Sequence, residues 1–528
     1  MRKPMMLLLA ALLVMSCFAP YVLAQDRNTL VIPGAPTTQF SYTTNNIGGF
    51  YGTNVFSALF KSTPDLQGVI PDLATDYTVS DDQLTFTFTI RDDAYWHDGV
   101  PFTPEDVKFN IEMALKCGII NGIYVSAFSC IEGAEEYMNG EADEISGITI
   151  DGNVVTIRMA RPYGAFLNVL AQWMMLPKHL LEDDDPLTLH NSDFWQWPIG
   201  TGPYKVAEVA WGNYAILERN EMYYGKLPKI ERIKMIAASL DRANDLIVAA
   251  QAGQIDYFNT NNVDVLNEVA KLKDYKVYPV DTYFMRYFIM NLDSPEGKNP
   301  VLSDVRVRKA ILHAIDREAI VEAMFPNGEV TDTFVPAGYP DYWKEAEHYE
   351  YNPELARQLL DEAGFDYNYV LKLRYYYNDQ ATIDFMDLIV HYLSEVGIKS
   401  EHAFLEGDAT TLIYHTRDHD IVYKGLSAFG YEEAYGEMIS GGNIMTYLVN
   451  DNVYDELIAK LNSTVDPAAR SEIIRELQKL DQEYLYRLPL FSLQNCIVVN
   501  TSRVKTAGVY GNEWWNYDRK IEEWEIID

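Results

Sequence analysis

Leu84 to Val107, LTFTFTIRDDAYWHDGVPFTPEDV, restricts the fold more than any other stretch. Leu84, Phe86, Phe88 and Ile90 alternate with Thr85, Thr87 and Thr89. That period of two predicts a strand with one buried face. His97, Asp98 and Gly99 then make a turn. Thr103, Pro104 and Asp106 have the residue types of a helix N-cap, first helical position and third-position carboxylate. Strand, tight turn and capped helix within 24 residues point to a chain that alternates the two element types.

The rest of the chain keeps that alternation. Asn28 to Pro33 reads as a first strand, followed by a polar segment to Asn46 and an apolar stretch, Tyr51 to Phe60. Glu132 to Val155 is acidic and turn-rich and ends in a hairpin around Asp151-Gly152. Asp183 to Asp185 is a charge run suited to a solvated loop. In Ile199 to Val206, Gly200 and Gly202 permit backbone conformations other residues resist; the stretch is a hinge between lobes or an ordinary tight turn. Arg219 to Met235 turns into a strand, and Asp241 to Asp256 is helical with Gly253 at its end. Tyr283 to Leu292 reads as a strand. Asp304 caps a helix with Val307, Ala310, Ile311, Ala314 and Ile315 inward, and Asp316 starts the next. Asn352-Pro353 opens a third helix, with Ala356, Leu359, Leu360 and Ala363 inward and Gly364 past its end; Thr382 to Val396 is a fourth, leading to a strand at Ile398. The class is α/β.

Residues 1–24 have a basic start (Arg2, Lys3) and an apolar run, Met5 to Met15, too short to span a bilayer comfortably. This is an export signal. One cut falls before Gln25; the alternative places lipid on Cys17, after Val14, Met15 and Ser16. Either way the mature protein works outside the cytoplasmic membrane. The chain carries a formal charge of −35, which excludes nucleic acid and anionic lipid surfaces as partners. Cys117, Cys130 and Cys496 follow the signal with no CxxC pair, which argues against a zinc ribbon or redox motif. Cys117 and Cys130 form one disulfide or remain two thiols. HExxH, GxSxG and GxxxxGK[ST] motifs are all missing from the sequence, so nothing marks a catalytic nucleophile or metal-bound water, and no cofactor is expected.

Several motifs in order resemble one family: Trp96 to Val107, Gly200 to Tyr204, Glu221 to Pro228, Ala250 to Asp256, Val307 to Ile320 and Tyr351 to Gly364. Together they resemble the family 5 extracellular solute-binding proteins, the dipeptide, oligopeptide and nickel binders of ABC importers. The resemblance implies a bilobed periplasmic-binding-protein-like fold of class II type. Lobe I is discontinuous (25–67, 199–280 and 491–528), a small domain (68–198) is inserted in it, and lobe II spans 281–490. It implies a monomer that captures a solute between lobes and delivers it to a permease. Most motif residues are then structural: His97, Asp98 and Gly99 shape a turn, and Arg306 to Arg308 lie on a helix surface.

Peptide-binding relatives hold the peptide amino group with an Asp in a Gly-Trp-x-Ala-Asp-Tyr segment. Here the stretch is Gly425 to Tyr431, with Leu426 at the tryptophan position and Phe429 at the aspartate position. Glu432 or Glu433 substitutes if the loop shifts. The basic residue that dipeptide binders place before the helix near Thr382 has no match in Tyr375 to Gln380. Aromatics gather where family clefts form: Tyr124, Phe128, Tyr375, Tyr376, Tyr377, Tyr423, Phe429 and Tyr431. Each offers a flat apolar face, and the tyrosines add a hydroxyl. Arg286 and Lys424 are candidate anion partners, with exposed salt bridges as the ordinary alternative. His415 and His419, four apart, are weak candidates for metal on what reads as a turn into a strand. Oligopeptide is the leading solute class, with oligosaccharide and then nickel chelate as alternatives. A secreted glycoside hydrolase with two carboxylates across a cleft is the remote enzyme reading.

Overall fold

The computed structural model describes residues 28–40, 49–240, 242–294, 297–299 and 301–527. The expected export signal, both cleavage readings and Cys17 lie outside them. Among the described residues no helix is long and apolar enough to cross a membrane.

The first lobe is built on a four-stranded sheet in the order Thr29–Pro33, Arg232–Ile236, Tyr214–Arg219, Tyr204–Ala210. A second four-stranded sheet runs Ala74–Val79, Thr85–Ile90, Val154–Arg158, Ile148–Asp151. Its Thr85–Ile90 strand buries Phe86, Phe88 and Ile90 and leaves the threonines half-buried, as their period requires. The hairpin is present, with Asp151 opposite Val154 and Gly152-Asn153 as its two-residue loop. Gly152 takes the left-handed backbone conformation at φ 60°. One continuous apolar core joins these two sheets, running from Leu30 through Trp173 to Trp524.

The second lobe holds a six-stranded sheet in the order Gly328–Val330, Arg487–Leu493, Tyr283–Met290, Ile421–Ala428, Val370–Tyr375, Lys399–Phe404. Val370–Tyr375 runs parallel to both its neighbours. The Arg487–Leu493 strand is buried at every position, as expected of a strand covered on both faces. A separate core, drawn from residues between Tyr283 and Leu493, surrounds this sheet.

The helix ends follow the sequence closely. The Asp106 carboxylate takes the Thr103 backbone N–H at 2.8 Å and its hydroxyl at 3.0 Å. Asp304, Asp316 and Asn352 each accept a backbone N–H two or three residues on. Gly364 closes the Pro353–Ala363 helix with φ 68°. Asp185 of the acidic run caps a 3-10 turn rather than being merely solvated. Arg308 departs from the surface position expected of it. It is 4% exposed and donates to the carbonyls of Leu302, Ser303 and Tyr484, so it ties two segments of the second lobe instead of facing water.

Gly200 and Gly202 have a different purpose from the one expected. Neither has positive φ. A Cβ on Gly200 would lie 1.9 Å from the Val55 carbonyl oxygen, and one on Gly202 would lie 2.4 Å from that of Asn54. These glycines allow close backbone approach inside the first lobe. His97 fastens the same segment: its N–H donates to the Gly200 carbonyl at 2.9 Å, its Nδ1 accepts the Gly200 N–H at 3.2 Å, and its Nε2 meets the Gly202 carbonyl at 3.1 Å.

The chain crosses between lobes elsewhere. Tyr275–Val280 belongs to a three-stranded sheet of the first lobe and Tyr283–Met290 to the second-lobe sheet. Likewise Arg487–Leu493 lies in the second lobe, and Asn495–Asn500 pairs with Tyr275–Val280. The two crossings touch: the Thr282 hydroxyl donates to the Leu493 carbonyl at 2.9 Å and Gln494 Nε2 to Asp281 at 2.7 Å.

Candidate functional site

A cavity of about 420 Å³ opens where Asn121, Ile123, Ser126 and Tyr163 face the second lobe's Tyr414, Glu432, Glu433, Glu437, Asn443 and Asn462. The Gly122–Phe128 helix supplies one wall, with Asn121 as its N-cap. The Tyr431–Gly436 helix supplies the other and carries two of the glutamates. Three carboxylates in one cavity repel one another unless something compensates them.

Two are compensated by cations. Glu432 pairs with Arg470, which also donates to the Leu461 and Thr464 carbonyls. Glu437 pairs with Lys424 and accepts the Tyr287 hydroxyl at 2.8 Å. Burial alone would raise the Glu437 carboxyl, but the Lys424 ammonium overrides it and holds the group below the usual range. Glu433 is different. It accepts only neutral donors, the Phe429 backbone N–H at 2.9 Å and Asn121 Nδ2 at 3.2 Å. Burial pushes its carboxyl up, with the nearby Glu437 charge adding to the effect. Among the described residues no cation pairs with it. A half-buried carboxylate of this kind favours a cationic guest.

The expected site residues fall into three groups. Tyr124 and Phe128 are fully buried in an aromatic cluster with Trp173 and Phe166; packing consumes both ring faces, so they are core residues. Tyr375, Tyr423, Phe429 and Tyr431 are also buried. Tyr375 lies against His402 and Phe404, Tyr423 against Phe385, and Tyr431 against Tyr283. Phe429 packs on Trp515, across the lobe boundary, at a centroid distance of 5.7 Å. The position expected to match an aspartate of peptide-binding relatives thus holds an apolar interlobe contact. Half-buried Arg286, Tyr376, Tyr377 and Leu426 make the third group. Of all these residues only Glu432 lines the cavity.

Lys424 forms a partly buried ion pair rather than the exposed one expected, and Arg286 forms none among the described residues. His415 and His419 are not a pair. His415 is exposed and edges Tyr447, whereas His419 is buried with Nε2 on the Ile413 carbonyl at 2.9 Å. Among the described residues no disulfide joins Cys117, Cys130 or Cys496, so Cys117 and Cys130 do not bridge. Sequence reasoning missed Asn121, Tyr163, Asn443 and Asn462, polar residues at chain positions far from one another; no local pattern marks them.

Two lobes joined by paired crossing strands, with a polar cavity at their junction, define a bilobed binding protein. The comparisons agree on the family. Residues 68–440 match the bacterial extracellular solute-binding proteins, family 5 Middle, and the chain belongs to that family. A Brucella ovis protein named as an ABC transporter peptide-binding protein is 30% identical over 365 residues, covering 66% of this chain and 63% of that relative's length. The glutathione-binding protein GsiB of Salmonella paratyphi A is 24% identical over 487 residues, 89% of this chain and 90% of that one. The fold is similar to NikZ of Campylobacter jejuni in complex with Ni(L-His), with a TM-score of 0.74 at 23% identity over 95% of this chain and all of that one. It is also similar to AppA of Bacillus subtilis in complex with a nonapeptide, with a TM-score of 0.71 at 22% identity over 95% and 99%.

Proposed function

We propose that this protein is the extracytoplasmic receptor of an ABC importer. It captures a peptide between its lobes and presents it to a membrane permease. The observation that carries the reading is Glu433, a carboxylate facing the interlobe cavity with neutral partners only. A peptide's ammonium supplies the missing positive charge. The carboxylate sits four residues beyond the Phe429 position, on the first turn of the following helix, and on this reading it substitutes for the aspartate expected there. Relatives named for peptide and glutathione binding support the solute class. Residues 68–198 act as a small domain inserted in the first lobe, contributing Asn121 and Tyr163 to the cavity. Solute binding favours the closed arrangement by its differential affinity for it.

The test is mass spectrometry of small molecules released by denaturing freshly purified protein, followed by calorimetry with the peptides found and their N-acetylated forms. Peptides that bind wild type and lose affinity on acetylation support the reading. Hexose-spaced masses, or acetylated peptides binding equally well, refute it.

A further inference from the structure

Arg286, like Glu433, is a charged group for which no counterion is found among the described residues. It lies on the Tyr283–Met290 strand, opposite Gly425 of the neighbouring Ile421–Ala428 strand. Its guanidinium is surrounded by rings: 4.3 Å from the Tyr377 centroid, 4.8 Å from Phe284 and 5.7 Å from Tyr423. Its Nε and Nη1 are buried and meet no hydrogen-bond acceptor, and no carboxylate pairs with it among the described residues. Ring faces offset part of the cost of stripping water from a cation. They do not satisfy its N–H groups, which Arg cannot shed by deprotonating.

The surroundings are built for this placement. A Cβ on residue 425 would lie 2.7 Å from Arg286 Nη1 and 2.6 Å from the Tyr377 hydroxyl, so glycine there admits the guanidinium to the sheet surface. The Tyr376 and Tyr377 hydroxyls are 3.0 Å apart. Two hydroxyls bonded to each other keep one hydrogen free to donate. Both tyrosines follow the carboxyl end of the parallel Val370–Tyr375 strand, where α/β sheets place ligands. The same end faces the first lobe: Phe284, two residues before Arg286, edges Trp514 at 5.3 Å. A fork of N–H donors beside a phenol donor matches the planar geometry of a carboxylate.

We infer that Arg286, with Tyr376 and Tyr377, is an anion receptor that takes a carboxylate of the captured solute. The assignment rests on the peptide reading above for the identity of that solute, and it makes the preferred peptides zwitterions or acids. Gly425 and Phe429 are four residues apart on and just beyond one strand, about 13 Å at strand rise. Arg286 opposes the first, and Glu433 caps the backbone N–H of the second. A short peptide spans that distance.

The test uses full-length protein freed of solute by unfolding and refolding. It is offered three tetrapeptide libraries, and retained peptides are quantified by mass spectrometry. One has free carboxyl termini and no Asp or Glu, one is the same set C-terminally amidated, and one is amidated but contains Glu. Wild type is expected to retain carboxylate-bearing peptides about tenfold or more over the neutral amides. Preference for the first library assigns the C-terminal carboxylate, and preference for the third a side-chain one. Arg286→Met is expected to lose that preference, still retain the amides and melt no lower than wild type. A purely structural arginine would lower the melting temperature and leave the preference intact. The assignment is overturned if wild type does not discriminate, or if Arg286→Met discriminates equally. If no library is retained, the peptide reading fails and the anion receptor is judged alone. A saturable thermal shift with succinate, missing with dimethyl succinate and in Arg286→Met, upholds it; no shift with succinate overturns it.

Discussion

Replacing His97 with glutamine tests how the first lobe is fastened. In the folded protein His97 Nδ1 accepts the Gly200 N–H, so Nε2 carries the proton that goes to the Gly202 carbonyl. The ring is neutral and buried, and burial, aided by the Lys205 charge, lowers its pKa from 6.5 to about 4 against the opposing pull of the Gly202 hydrogen bond. Between those values the unfolded chain binds a proton that the folded chain refuses, so stability falls as pH drops through that window. The full difference corresponds to about 3 kcal/mol, present above pH 6.5 and gone by pH 4. Glutamine can reproduce an acceptor and a donor but does not titrate. Urea unfolding followed by tryptophan fluorescence reports this lobe, because Trp343 is the one tryptophan of the nine between residues 283 and 493. At pH 7.5 the variant should be less stable by about 1 kcal/mol, the worth of imperfect hydrogen bonds. The gap should close with acidification, reverse at about pH 6, and favour the variant by about 2 kcal/mol at pH 4. A gap that stays constant from pH 7.5 to 4 would mean that His97 protonates freely in the fold, and the reasoning would be refuted.

Gly200→Ala should cost about 3 kcal/mol, because its Cβ meets the Val55 carbonyl and not a movable side chain; a melting temperature within a degree of wild type would count against the close-approach reading. Glu433→Gln should weaken binding of peptides with free amino termini about tenfold while leaving the fold intact. Because burial raises the Glu433 carboxyl, wild-type affinity for such peptides should fall on acidification through the carboxylate range, as protons compete with the ammonium, and calorimetry across pH should show no such slope in the variant. Asp481→Asn should destabilise the second lobe by about 3 kcal/mol. That carboxylate is buried with Arg487 at 3.4 Å and accepts the Tyr435 and Tyr454 hydroxyls. Hydrogen exchange confined to faster opening of residues 283–493 would confirm the placement, and unchanged exchange would contradict it.

Local chemistry was legible in the sequence wherever one residue's role depends on its near neighbours. Thr103, Asp304, Asp316 and Asn352 mark helix starts because a cap acts within three residues, and Phe86, Phe88 and Ile90 show their buried face through their spacing alone. Roles set across the fold were hidden. Tyr124 and Tyr376 are the same residue type in comparable surroundings of sequence, yet Trp173 covers the first and the second borders the lobe junction. Glu432 and Glu433 are adjacent, and only Arg470, 38 residues along the chain, distinguishes the neutralised carboxylate from the uncompensated one. Arg308 sits in a motif that reads as helix surface, while the Tyr484 carbonyl that buries it lies 176 residues away. Gly200 looked like a turn glycine because the backbone it must clear, at Val55, belongs to a distant stretch.

The adjacent crossings at Thr282 and Leu493 make the second lobe a cassette whose two ends meet. The chain leaves and returns at nearly one point, so everything between can be cut out without tearing a strand from either sheet. Residues 282–493 should therefore tolerate expression as a separate polypeptide, or rejoining of their ends with new termini opened in a surface loop. The same layout confines any movement of one lobe on the other to a pivot at that point, since no other stretch among the described residues passes between them. Domain exchange between relatives would also need only two splice sites, and these are neighbours in space although they lie 211 residues apart in the chain.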